Sequence, residues 1–158
     1  MKVEELMTRR VASCSASDTL NAAARIMWEH DCGCAPVVAD GRVVGMITDR
    51  DICMAAYTQD RPLSALPVSQ AMSREVHSCR PDDPLAVAER TMRERQIRRL
   101  PVIDASGHLV GILSLNDVAR AFAREGERAA GGARANEVAS TLAAVCRPRH
   151  AKHAATAA

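Results

Sequence analysis

Two short pairs of residues carry the chemistry in this chain. Thr48 with Asp51, and Ser114 with Asp117, each set a hydroxyl three positions before a carboxylate. A hydroxyl donates to a phosphate or sugar oxygen. An ionised carboxylate only accepts hydrogen bonds, which suits the two neighbouring hydroxyls of a ribose. The pairs close two matching heptads, Gly45-Met46-Ile47-Thr48-Asp49-Arg50-Asp51 and Gly111-Ile112-Leu113-Ser114-Leu115-Asn116-Asp117. In each, an apolar run reaches the hydroxyl where a strand turns into a helix. Free N–H groups and the helix dipole favour an anion there. The same spacing is also nearly a capping box, which a helix uses with no ligand at all. On the heptads alone both readings stand.

The elements that must position these pairs are themselves duplicated. When residues 3–39 are laid over 68–104, fourteen of 37 positions are identical, among them Met7 with Met72, Val11 with Val76, Ser13 with Ser78, and Pro36-Val37 with Pro101-Val102. An internal repeat fixes the architecture before any single motif is weighed. The chain therefore divides into repeat 3–58, linker 59–67, repeat 68–125 and an extension 126–158. In the first repeat a short turn at 3–7 leads to a strand near 11–14. Ser17-Asp18 offers a helix cap. Leu20, Ala23, Ala24 and Met27 then make one helical face, and Gly33 closes the helix. Strands at 35–39 and 42–48 flank the hairpin turn Asp40-Gly41, and a helix follows from 49 to about 57.

The second repeat gives the same order, with Asp82-Asp83 as cap and Pro84 at the first helical position. Leu85, Ala88 and Met92 form the inner face, Gly107 lies in the hairpin turn, and a last helix spans about 115–124. Each unit reads as βαββα, giving an α/β (α+β) fold of two repeats packed as a pseudo-two-fold pair. A unit of this size is marginal as an independent core, so the repeats are expected to pack together and share one. In the extension, 136–146 reads as a helix with Val138, Leu142 and Val145 on one face. A helix this short is marginal alone in water and needs something to dock on. The tail 147–158 reads as disordered.

Composition narrows the function classes. Net charge is +2, and Trp28, Tyr57 and Phe122 are the only aromatics. That balance gives no pull toward nucleic acid and no stacking platform for bases. No stretch approaches the roughly 18 apolar residues of a membrane span, and no signal segment opens the chain. The reading is a cytoplasmic protein whose six cysteines stay reduced.

The residues together resemble a known family. The openings Leu6-Met7-Thr8 and Ala71-Met72-Ser73, the strands Ala35-Pro36-Val37-Val38 and Leu100-Pro101-Val102-Ile103, and the two heptads are similar to a tandem pair of CBS (cystathionine β-synthase) domains, the Bateman module. The runs at 48–52 and 97–102 resemble small bacterial two-repeat members, some linked to stress or hypoxia. The resemblance implies an adenosine ligand (AMP, ADP or ATP, with S-adenosylmethionine and NAD as other possibilities) and no required cofactor. It implies that Thr48 with Asp51, and Ser114 with Asp117, hold phosphate and ribose. It places the adenine between Val11, Ser13, Cys34 and Ala35 in one site, and between Val76, Ser78, Arg99 and Leu100 in the other. It directs phosphates to the seam between repeats, within reach of Arg50, Arg98 or Arg99. It also implies a homodimer.

No nucleophile, base and acid set is placed by a recognised framework, so no enzymatic activity is expected. With no catalytic, channel or DNA-binding domain to control in cis, the target is a protein acting in trans. His30, Cys32 and Cys34 invite a metal or thiol-sensor reading, but one-residue spacing without a second cluster does not match structural zinc sites, and no metal site is assigned. The other alternative is a structural homodimer without nucleotide, in which Thr48 and Ser114 are only caps.

Overall fold

Asp40 and Gly41 both take positive φ, 49° and 76°, as the expected tight hairpin turn requires. In the computed structural model, which describes residues 1–126, 139–142 and 144–145, this turn joins β1 (Cys34–Ala39) to β2 (Arg42–Thr48). The second repeat builds its hairpin from β3 (Arg99–Ile103) and β4 (Leu109–Ser114) around Gly107, at φ 83°. Both hairpins are antiparallel and form separate two-stranded sheets. Their tips meet, Leu109 N donating to Gly41 O at 3.0 Å.

The strand expected near 11–14 is shorter than the pattern suggested. Only Cys14 bridges β1, in parallel: its N–H donates to Pro36 O (3.1 Å) and its carbonyl accepts from Val38 N (2.8 Å). Cys79 does the same with Pro101 (3.2 Å) and Ile103 (3.0 Å). A longer ladder would next need a donor at the proline nitrogen, which has no N–H. The Pro-Val step therefore ends the strand at one residue in each repeat.

Four helices complete the pair: α1 (Leu20–Glu29), α2 (Asp49–Gln59), α3 (Leu85–Arg95) and α4 (Leu115–Gly126). Leu20, Ala23 and Met27 in α1 are buried as the spacing predicted, while Ala24 of the same expected face is only half-buried; Leu85, Ala88 and Met92 in α3 are buried. The caps differ from expectation. Thr19 caps α1, accepting from Ala22 N at 3.2 Å, because Asp18 instead closes the preceding turn on Ser15 N at 2.7 Å. Pro84 occupies the N-cap position itself, since Asp83 is drawn back to Arg80 N at 2.7 Å. Helix α1 ends at Glu29, before Gly33, with Asp31 at positive φ (47°).

The repeats do not share a single core. Two hydrophobic clusters form, and each is completed by the opening of the other repeat. Val3 and Met7, from the start of the chain, lie in the cluster of Leu85, Met92, Leu100, Val102 and Leu113. Leu66 and Val68, from the linker and second opening, lie in the cluster of Leu20, Ala35, Val37 and Ile47. Backbone hydrogen bonds pin the exchange: Val3 N to Asp83 O (3.0 Å) and Val68 N to Asp18 O (2.7 Å). Past these turns the openings cross the opposite hairpins. Thr8 and Ile112 exchange both bonds at 2.9 Å, while Met46 and Ser73 pair at 2.9 and 2.8 Å.

The heptad glycines sit at these crossings. A Cβ on Gly45 would lie 2.9 Å from both Met72 Sδ and Ser73 O; one on Gly111 would lie 2.7 Å from Met7 Sδ and 3.1 Å from Thr8 O. Glycine lets two backbones approach closely.

The described part of the extension docks on the second repeat. Residues 139–142 and 144–145 are helical. Val145 joins the core cluster of the second repeat as expected, but Leu142, expected on the same face, is 39% exposed and Thr141 is buried instead; Gln96 Nε2 donates to Ala144 O at 3.4 Å. The rest of the expected helix at 136–146, with Val138, and the tail 147–158 lie outside the described residues. Among the described residues no helix is long and apolar enough to cross a membrane.

The crossings yield a prediction. Gly45→Ala and Gly111→Ala each force an overpacked contact, and such contacts cost about 1–3 kcal/mol. Urea denaturation should show that loss in both variants. A change under about 0.5 kcal/mol, the usual range for surface substitutions, would mean that the crossings do not constrain the pair.

Candidate functional site

Strand register places the first hydroxyl. Cys34 and Ala35, just before the Pro-Val step, pair with Thr48 and Ile47. Thr48 then leaves β2 in extended backbone (φ −119°, ψ 162°) and becomes the N-cap of α2. Its hydroxyl donates to Asp51 Oδ2 at 2.6 Å, and its N–H donates to the same oxygen at 2.9 Å. Asp51 N donates back to Thr48 Oγ1 at 3.2 Å. The capping box is thus complete before any ligand arrives. Among the described residues no group bonds Asp51 Oδ1.

The second repeat repeats this geometry with one difference. Arg99 pairs with Ser114, and Leu100 with Leu113. Ser114 Oγ and N donate to Asp117 Oδ2 at 2.5 and 2.8 Å, and Asp117 N returns a bond of 3.2 Å to Ser114 Oγ. Here the other carboxylate oxygen, Oδ1, is taken by the guanidinium of Arg120.

The remaining candidates divide by exposure. Ala35 and Leu100 are fully buried, and neither presents surface to a site. Val11, Ser13, Val76 and Ser78 are half-buried, on the segments that lead to the Cys14 and Cys79 bridges. Arg50 and Arg98 are exposed. Arg99 is half-buried, and it crosses the seam: a Cβ on Gly33 would lie 3.6 Å from its Nη2 and 2.9 Å from Asp49 Oδ2. The arginine of the second repeat therefore stands at the mouth of the first repeat's site. Sequence reasoning missed Gly33 and Asp49 as neighbours of Arg99, for which no linear pattern gives a signal. It also missed Arg120, for which the signal was present: an arginine three residues beyond an aspartate on one helix.

Residues 3–57 and 68–124 each match the CBS domain. The chain belongs to the CBS-domain family. The CBS domain-containing protein YhcV of Bacillus subtilis is 43% identical over 117 residues, covering 74% of this chain and 82% of that protein. The CBS domain pair of protein MJ0100, solved in complex with 5′-methylthioadenosine and S-adenosyl-L-methionine, superposes with a TM-score of 0.72 at 25% identity, covering 79% of this chain and 98% of the other. PAE2072 from Pyrobaculum aerophilum, a CBS domain protein complexed with AMP, gives 0.70 at 28% identity, covering 82% and 100%. CBS domain pairs are generally regulatory and non-catalytic.

The thiols of this CBS pair are mostly protected. Burial pushes Cys34 up to about 11; Cys32 and Asp49 raise it further and Arg99 opposes them. Burial, with nearby Asp18, lifts Cys14 to about 11, and burial with Asp83 lifts Cys79 to about 12. Cys32 is half-buried and its thiol donates to Cys34 O at 3.3 Å, whereas Cys53 is exposed.

These shifts set a pH dependence. A thiol whose folded pKa lies above its unfolded value of 9.0 contributes stability that is full below pH 9.0 and lost as pH rises through the folded value. Chemical denaturation should therefore show falling stability from about pH 9 to 12, and Cys79→Ala should flatten part of that slope. At pH 8, iodoacetamide should label Cys53 well ahead of Cys14, Cys34 and Cys79. Equal labelling rates would overturn the assignment of protected thiols.

Proposed function

We propose that this CBS pair is a non-catalytic sensor of an adenine nucleotide (AMP, ADP or ATP), bound between the repeats and acting on a protein partner in trans. The observation that carries this reading is the geometry at the head of α2. Thr48 and Asp51 are already held by their cap, Asp51 Oδ1 is unbonded among the described residues, and Arg99 stands across the seam. Ribose hydroxyls donate to the open carboxylate oxygen. The α2 N-terminus and Arg99 favour the phosphate, and half-buried Gly33, beside Cys34, borders the base. The adenosine ligands of the two structural neighbours support the same ligand class. Free thiols at all five described cysteines fit a reducing cytoplasm. A homodimer is part of the reading, and the ligand's differential affinity for two states of it supplies the signal.

The completed caps favour a second reading, a structural dimer that takes no nucleotide. Thermal unfolding with AMP, ADP, ATP, NAD and S-adenosylmethionine separates the two. A ligand at a hundred times its dissociation constant adds about 2.7 kcal/mol. Asp51→Asn should abolish that shift while costing only about 1 kcal/mol of cap stability. Arg99→Gln should weaken AMP roughly ten-fold or more, as expected for loss of a charged hydrogen bond, and leave adenosine unchanged. Absence of a shift with every ligand would establish the structural reading.

A further inference from the structure

The two carboxylates that should hold ribose are not in the same condition. Asp51 is half-buried, and one of its oxygens is unbonded among the described residues. The Asp117 side chain is only 9% exposed and both its oxygens are committed, Oδ2 to Ser114 and Oδ1 to Arg120. Arg120 lies three residues beyond Asp117 on α4, where side chains share a face. The equivalent position on α2 is Met54, which is 46% exposed and carries no donor.

A ribose must offer two neutral hydroxyls to one carboxylate. In the first repeat the open oxygen accepts one directly. In the second, Oδ1 already accepts from the Arg120 guanidinium, so a neutral hydroxyl has to share that oxygen with the cation or displace it. The Arg120 side chain is itself 66% exposed, so water reaches the pair, and the latch acts by occupying Oδ1 rather than through the strength of a buried ion pair. The second repeat also gives up its arginine at the strand position: Arg99 points across to Gly33 and Asp49 of the first repeat.

We infer that Arg120 latches the second site, so that each chain holds a single nucleotide, in the first repeat. This rests on the nucleotide reading above and adds its stoichiometry and the residue that sets it. The latch is a property of one side chain, and moving that side chain moves the vacancy.

The test is a reciprocal exchange at two helix surface positions, read by isothermal titration calorimetry of AMP into the full chain. The unaltered protein should take one AMP per chain. Arg120→Met should open the second site and raise the count to two. Met54→Arg should install a latch beside Asp51 and weaken binding at least ten-fold, whereas Met54→Leu should leave it unchanged. Two equivalent sites before any substitution, a count of one in Arg120→Met, or undiminished binding in Met54→Arg would each overturn the latch. Silence of the unaltered chain and Arg120→Met alike, both folded by their thermal melts, would instead overturn the nucleotide reading on which the latch rests.

Discussion

The exchange of opening turns is the constraint on which the rest of this structure depends. Neither repeat encloses its own core: Val3 and Met7 are needed by the second, Leu66 and Val68 by the first. Units of about 60 residues bury too little apolar surface to be secure alone, and the exchange makes each the other's last packing layer. It also fixes where the hairpins lie. The crossings at Thr8–Ile112 and Ser73–Met46 leave no room for a side chain at Gly111 or Gly45. The glycine that opens each heptad belongs to the assembly of the pair, while the hydroxyl and carboxylate that end it face the candidate site.

Those two groups serve folding and recognition with the same atoms. The cap satisfies helix N–H groups that would otherwise be orphaned and holds Thr48 and Ser114 in one rotamer without a ligand. A nucleotide arriving there meets oriented groups, so little side-chain order remains to be imposed on binding. The cost is ambiguity, because a complete capping box is equally what a helix needs for itself. The carboxylate oxygen that the cap leaves over distinguishes the repeats: among the described residues it has no partner at Asp51 and is occupied at Asp117.

Asymmetry extends beyond the two carboxylates. The helical residues at 139–145 lie on the second repeat, with Val145 in its core and Gln96 holding Ala144 O. The first repeat instead keeps a groove of about 540 Å³ between α1 and α2, bordered by Trp28, Gly33, Asp49 and Cys53, with Trp28 89% exposed.

What the sequence determined by itself was the repeated architecture, the helix faces, the hairpin turns and the hydroxyl–carboxylate pairs. These depend on neighbours in the chain: periodicity at Leu20, Ala23 and Met27, positive φ at Asp40-Gly41, and a three-residue spacing at Thr48 and Asp51. Cap positions were one or two residues off because Asp18 and Asp83 had nearer turn donors, a competition that residue types alone do not settle. Only the tertiary structure decided which opening completes which core, why Gly45 and Gly111 have no side chain, and that Arg99 serves the opposite repeat. Each of those is a contact between segments about 30 to 105 residues apart, set by how two sheets and four helices pack, and local propensity carries no record of it.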